Sequence, residues 1–151
     1  WSCLVGSEMC IRDRLSAEKL PYEGNTFDTV VSTYTMCSIA NLSAALSEIR
    51  RVLKTDGKML FSEHGMAPDR NVYLWQKRLN PIQKRIAGGC HLDVNIPKVI
   101  KDAGFEMSSI NSMYIPGPKF LSYHFWGSAL IGKWNVKFKN GCSFRFRIEK
   151  F

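Results

Sequence analysis

SAEKLPYEGNTFDTVVSTY, residues 16–34, is the stretch on which the reading of the fold turns. Its second half, Phe27 to Tyr34, is short, rich in β-branched residues and preceded by the turn signal Glu23-Gly24-Asn25. That composition predicts a buried strand of a parallel sheet, because parallel strands are covered on both faces. Asn41 to Leu53 then predicts a helix. Asn41 offers an N-cap oxygen, and Leu42, Ala45, Leu46, Ile49, Val52 and Leu53 recur at helical spacing. Arg50, Arg51 and Lys54 sit where cations suit the helix dipole. Asp56-Gly57 ends that unit, and Lys58 to Glu63 reads as the next strand. A strand, a helix and a second strand in this order are the signature of an α/β domain.

Outward from that core the alternation continues. Pro68 to Ile86 predicts a basic amphipathic helix, broken near Asn80-Pro81 because proline disfavours helix in the residue before it. Ile96 to Ala103 predicts a short helix stopped by Gly104. Phe105 to Tyr114 and Leu121 to Leu130 predict two last strands, joined through Pro116-Gly117-Pro118. The Phe120 to Trp126 run fits core strand better than a lipid anchor.

At 151 residues and 45% hydrophobic, the chain can bury one core. No apolar run reaches the roughly 18–20 residues of a membrane span, and no signal-peptide layout is visible, so the expected compartment is the cytoplasm. The five cysteines, Cys3, Cys10, Cys37, Cys90 and Cys142, are scattered without a CxxC pair. Neither a disulfide framework nor a metal site is suggested by that spacing. The net charge of +8 is concentrated in the tail from Lys133 to Phe151, which carries +5. Such a tail favours polyanions without specificity, and no specific nucleic-acid partner is expected. Taken alone, the tail is a hairpin pattern around Asn140-Gly141; it is either a native extension or read-through past a broken frame. Residues 1–14 (WSCLVGSEMCIRDR) have neither helical nor alternating period. From Cys3 onward they resemble a translated sequencing adaptor, so we treat them as a non-native scar, the alternative being an irregular N-terminal arm.

Ser16-Ala17-Glu18-Lys19-Leu20-Pro21-Tyr22, followed by Asn25-Thr26-Phe27-Asp28, resembles the ubiquinone/menaquinone C-methyltransferase-like group of class I S-adenosylmethionine (SAM) dependent methyltransferases. That group carries an A-E-x-L-P-[FY] turn leading through [ST]-F-D into a strand. The resemblance implies SAM as cofactor, with Ser16 and Ala17 at the adenine-contacting positions and Glu18 shaping the loop. It places Thr33, flanked by Ser32 and Tyr34, near the methionine end of SAM. It also implies a Rossmann-like sheet of which this chain holds the C-terminal half, strands ordered 4-5-7-6 with the last antiparallel, and flanking helices. A first strand with its glycine-rich loop is not found before Ser16. On that reading the fourth strand exposes an apolar edge, and the isolated chain binds SAM weakly or not at all. Calorimetry giving a micromolar SAM affinity would count against this expectation.

A second resemblance covers VVSTYTMCSI, EIRRVLKTDGKMLFSEH and WQKRLNPIQKRIAGGCHLD, which look like the thiol and lipid branch of the methyltransferase-like enzymes. It places Gly88-Gly89-Cys90-His91-Leu92 in a lid over a small-molecule methyl acceptor: a thiol, an amine lipid headgroup or a quinone-like ring. Cys90 is then a pocket residue and His91 a candidate proton acceptor. The alternative is a Gly-Gly turn with Cys90-His91 packed beneath it. His64 and Glu63 end a strand at the sheet edge where an acceptor lies. They either orient it and take its proton, or form a polar strand end bonded to a loop. Cys37 either lines the same cleft or is a buried structural thiol. Lys77, Arg78, Lys84 and Arg85, opposite Leu74, Trp75, Leu79 and Ile82, make either a solvated face or a peripheral contact with an anionic membrane. The competing function is a non-catalytic basic module for RNA or membrane, resting on the tail alone; deleting residues 133–151 separates the two. An NAD-binding fragment is disfavoured by the AEKLPY turn and the antiparallel final strands.

Overall fold

The computed structural model describes residues 16–132. The proposed scar, residues 1–14, and the basic tail, residues 133–151, lie outside the described residues. Seven elements run in order: β1 (Phe27–Thr33), α1 (Leu42–Val52), β2 (Leu53–His64), α2 (Arg70–Ile86), α3 (Ile96–Asp102), β3 (Phe105–Tyr114) and β4 (Tyr123–Ile131). The strands form one open sheet in the order β1-β2-β4-β3. β1 and β2 are parallel, and β4 runs antiparallel to both β2 and β3. This is the 4-5-7-6 arrangement expected, with the final strand antiparallel.

The apolar period of the sequence explains which face is covered. Met59 and Phe61 alternate inward along β2 and meet Leu46 and Ile49 of α1, Ile96 and Ile100 of α3, Phe105 of β3 and Ala129 of β4 in one buried cluster. On the opposite face Val31, Trp126 and Leu130 are exposed. β1 is an edge strand, not the buried strand its composition suggests. Only Ser32 is buried in it, and Val31 is 66% exposed. Val30 packs against the core on one face, while the outer edge of β1 pairs with no strand among the described residues.

Two boundaries differ from expectation for local reasons. Asp56-Gly57 does not separate α1 from a strand starting at Lys58: α1 passes directly into β2 at Leu53. The extra residues are absorbed as a register shift against β1, where Phe27 faces Leu53 but Thr29 already faces Lys58. Gly57 permits that close fold, since a Cβ there would lie 2.9 Å from the Lys54 carbonyl oxygen and 3.1 Å from that of Asp28. The second difference is α2, which runs unbroken through Pro81. Proline removes one ladder hydrogen bond, but buried amide side chains tie the helix down around it. Gln76 accepts from the Ala67 N–H at 3.0 Å and donates to the carbonyls of Gly65 and Phe120. Asn80 accepts from the Leu92 N–H at 2.8 Å and donates to Asp93. The buried face of α2 is therefore polar, while Leu74, Trp75, Ile82 and Ile86 are exposed. No helix among the described residues is long and apolar enough to cross a membrane.

Candidate functional site

The carboxyl ends of β1 and β2 gather most of the residues singled out from sequence, as expected for ligand sites in open α/β sheets. The turn of residues 16–22 lies beside this edge and is held there by α1. Leu20 donates its N–H to Glu48 at 2.9 Å, and Arg51 donates to the carbonyl oxygens of Leu20 and Tyr22 at 3.0 and 2.8 Å. Arg51 also forks onto both oxygens of Glu48 at 2.8 Å. The Arg51 hydrogen bond, then that of the Leu20 amide, pulls the Glu48 carboxyl down to about 2, so the clamp stays charged at neutral pH. Glu18 accepts from the Asn41 N–H at 2.8 Å at the head of α1, so its carboxylate shapes the loop. Ser16 accepts from the Glu18 N–H at 3.3 Å with its hydroxyl, within its own turn. Ala17 lines a cavity of about 180 Å³ together with Leu20, Ser32, Thr35, Met36 and Leu42. The structure thus brings Ala17 and Ser32 to one hollow, walled by the turn on one side and the end of β1 on the other.

Just past β1 the chain turns sharply. Tyr34 has φ +50°, in the left-handed region that bulky residues rarely occupy. Its N–H bond to the Ser62 carbonyl at 3.0 Å holds it on one side, and Glu63 anchors the residues after it. Glu63 is wholly buried, and its carboxylate accepts from the Ser32 hydroxyl at 2.7 Å and from the backbone N–H groups of Thr35 and Met36 at 3.0 and 3.3 Å. Glu63 therefore fixes the loop after β1, and Ser32 serves that carboxylate. Thr33 accepts with its carbonyl from the Thr35 hydroxyl at 2.8 Å and is exposed. The exposed Tyr34 ring stands over two imidazoles, stacked on His64 at 6.3 Å and edge-on to His124 at 5.3 Å.

Below that aromatic group, Cys37, His64 and Cys90 converge. The His64 Nε2 atom is 3.1 Å from the Cys90 sulfur, and the ligand atoms of all three residues lie within 4.8 Å of one another. Both cysteines are free and buried. Burial, and then the His124 ring, lowers the pKa of His64, favouring the neutral imidazole. Burial, and then the hydrogen bond with Cys37, pushes the Cys90 thiol up to about 12. Gly88 and Gly89, at φ +59° and +90°, end α2: the Gly89 N–H reaches back to the Lys84 carbonyl at 3.0 Å. The chain then hairpins so that the His91 N–H donates to the Cys37 carbonyl at 2.8 Å. His91 takes part through its backbone, while His64 is the imidazole at the sulfurs.

Sequence reasoning missed three things here. The convergence of Cys37, His64 and Cys90 joins residues from three separate parts of the chain, and no local motif signals it. His124 reads as one aromatic among several in a core strand. In the Glu48–Arg51 pair, Arg51 reads only as a cation suiting the helix dipole. A surface hollow of about 800 Å³, lined by Ser43, Arg50, Lys101 and Gly104, lies at the other end of the sheet and touches none of these residues.

Residues 11–61 match the family described as a methyltransferase domain. That stretch is thus similar to a methyltransferase domain, and the sheet has the Rossmann-like arrangement of solved methyltransferase structures. Among curated relatives of this domain, the thiol S-methyltransferase TMT1B of Rattus norvegicus is 39% identical over 83 residues, 54% of this chain and 34% of that protein. The ubiquinone/menaquinone biosynthesis C-methyltransferase UbiE of Brucella canis is 38% identical over 132 residues, 70% of this chain and 49% of that protein. The chain therefore spans between a third and a half of the length of these relatives. A SAM-dependent methyltransferase of Methanosarcina mazei shares the fold with a TM-score of 0.58 at 19% identity, over 75% of this chain and 63% of that one.

Proposed function

We propose that this chain is the acceptor-side part of a SAM-dependent methyltransferase acting on a small molecule, with a thiol as the acceptor. The supporting observation is the hollow between the clamped turn of residues 16–22 and the end of β1, where Ala17 faces Ser32 and Thr35. A rigid turn that presents backbone groups at this edge suits the edge of an adenine base. The cluster of His64 and two thiols lies at the same edge, past Tyr34, where a methyl acceptor has to meet the cofactor's sulfonium. Catalysis is then largely proximity and alignment of acceptor and methyl group. The thiol preference draws on the rat relative, whose name is that of a thiol S-methyltransferase. An amine lipid headgroup and a quinone-like ring are the competing acceptors.

The test is transfer of labelled methyl from SAM, supplied in large excess to offset the weak cofactor binding expected of the isolated chain, to a matched panel: an alkyl thiol, an ethanolamine headgroup lipid and a reduced quinone. Label on the thiol is the expected result. Label on RNA or protein, with none on any small molecule, would overturn the reading.

The exposed apolar side of α2 favours a second, compatible role. Leu74, Trp75, Ile82 and Ile86 stand out beside Lys77, Arg78, Lys84 and Arg85 on one helix. Apolar residues flanked by cations suit a peripheral contact with an anionic membrane, which would bring lipophilic acceptors to the site.

A further inference from the structure

Cys37, His64 and Cys90 meet with a chemistry that a single Cys–His pair lacks. One thiol beside one imidazole makes a nucleophile or a weak hydrogen bond. A second thiol within 4.8 Å of both turns the group into a three-ligand chelate. A tetrahedral Zn2+ with bonds of about 2.3 Å to sulfur and about 2.0 Å to imidazole nitrogen separates its ligand atoms by roughly 3.5–3.8 Å. The three ligand atoms all lie within 4.8 Å of one another, so an ion needs only local adjustment, with the Nε2-to-sulfur pair at 3.1 Å opening slightly to admit it.

Each ligand is delivered by backbone that is independently fixed. Cys37 follows the loop held by Glu63. His64 ends β2. Cys90 sits in the cap of α2, its N–H on the Ala87 carbonyl, and the next residue bonds to Cys37 itself. Glu63, the neighbouring carboxylate, is occupied by three donors and is not a fourth ligand. Two sulfurs and one nitrogen leave one tetrahedral position open, the pattern of catalytic rather than structural zinc.

We propose that Cys37, His64 and Cys90 bind Zn2+ and that its open position takes the thiol acceptor as a thiolate. The role of the acceptor rests on the methyl-transfer reading above; the metal site stands on the geometry alone. On metal binding both cysteine thiols lose their protons to solvent. An acceptor R–SH entering the fourth position likewise releases its proton and binds as R–S⁻. A sulfur lone pair then forms the S–CH3 bond as the methyl–sulfonium bond of SAM breaks. That electron pair returns to the cofactor sulfur, giving R–S–CH3 and S-adenosylhomocysteine, with Zn2+ unchanged.

The test uses the full chain, reduced and kept anaerobic, with Co2+ as the optical probe. The expected result is one Co2+ per chain, with thiolate-to-cobalt charge-transfer bands and the strong ligand-field bands of a tetrahedral site, displaced by Zn2+. Cys37→Ser and Cys90→Ser should each weaken binding by more than about 100-fold, beyond the usual effect of an outer-shell change. Replacing Cys3, Cys10 and Cys142 together by serine should leave the spectrum unchanged. X-ray absorption on the unmutated Zn2+-loaded chain should count two sulfurs and one imidazole, rising to three sulfurs when an alkyl thiol is added; this readout does not depend on how the variants fold. Absence of thiolate bands, or bands that survive both single substitutions, overturns the metal site. A sulfur count that stays at two with added thiol overturns the acceptor position. Should the metal and thiol bind as described while the protein methylates no thiol, the methyl-transfer reading fails and the site stands. Thiol methylation undiminished in Cys37→Ser and Cys90→Ser means the reverse.

Discussion

Replacing Glu63 by Gln changes the shape of one buried side chain very little and its hydrogen bonding a great deal. The carboxylate accepts from three donors: the Ser32 hydroxyl and the Thr35 and Met36 amides. Glutamine keeps one acceptor oxygen and turns an NH2 toward donors that have nothing to give it. The hydroxyl of Ser32 can rotate to adapt; the two backbone N–H groups cannot. At least one of them is left buried without an acceptor, at about 1–3 kcal/mol. The surviving bonds also lose charge assistance, at roughly 1 kcal/mol. Against this stands relief from holding an ionised carboxylate out of water, which can amount to several kcal/mol. Three well-placed donors should have offset most of that cost already, so the net expectation is a loss of about 2–4 kcal/mol. For a chain of this size that lowers the melting midpoint by roughly 6–12 °C. Ser32→Ala removes one bond and should cost only about 1 kcal/mol. The assay is thermal unfolding of the three proteins by circular dichroism, with the Thr35 and Met36 amide shifts followed by NMR. A Glu63→Gln midpoint at or above that of the unmutated chain refutes the reasoning, because desolvation would then outweigh the bonds.

The same geometry fixes the outcome of three more experiments. Arg51, then the Leu20 amide, depresses the pKa of Glu48, so the contribution of the clamp is present above the ordinary pKa near 4.5 and is lost only as pH falls through about 2; the Glu48 side-chain carboxyl shift in an NMR titration should show a midpoint near 2, and one near 4.5 means the turn is not clamped. Gly127→Ala places a Cβ 2.1 Å from the Ser109 carbonyl oxygen, at the bulge between Met107 and Ser109, so it should cost about 3 kcal/mol or more in urea unfolding; a change under about 0.5 kcal/mol, the usual size of a surface substitution, would contradict that packing. Trp75, 58% exposed beside the cations of α2, should lose binding to phosphatidylserine vesicles several-fold on Trp75→Glu, in a flotation assay with neutral vesicles as reference; unchanged flotation removes the membrane role.

How far the sequence is legible depends on the range of each interaction. α1 was legible because Asn41 and the residues from Leu42 to Val52 carry cap and period within a single helix. The strand order was legible only through the resemblance of the turn and its following strand to a known sheet, since register between strands is a long-range property. β1 misled for the same reason: β-branched residues predict burial, but whether a neighbour covers them is decided elsewhere. Pro81 misled because a local rule met tertiary anchors, Gln76 and Asn80, whose amides hold α2 just ahead of it. The roles of Glu63, His124 and the three-residue cluster were out of reach, since their partners sit on other elements or across a loop. The clamp was out of reach as well: Arg51 reads only as a cation suiting the helix dipole, and its hold on Leu20 and Tyr22 spans distant parts of the chain.

The most direct test of the account is an NMR titration of the isotopically labelled chain with S-adenosylhomocysteine, which reports contact even when binding is weak. The account expects the amide shifts to concentrate at Ala17, Leu20 and Thr33 to Met36, the two walls of the hollow. Shifts confined to α2 or to the far end of the sheet around Arg50 and Gly104, with those amides unmoved, would contradict it.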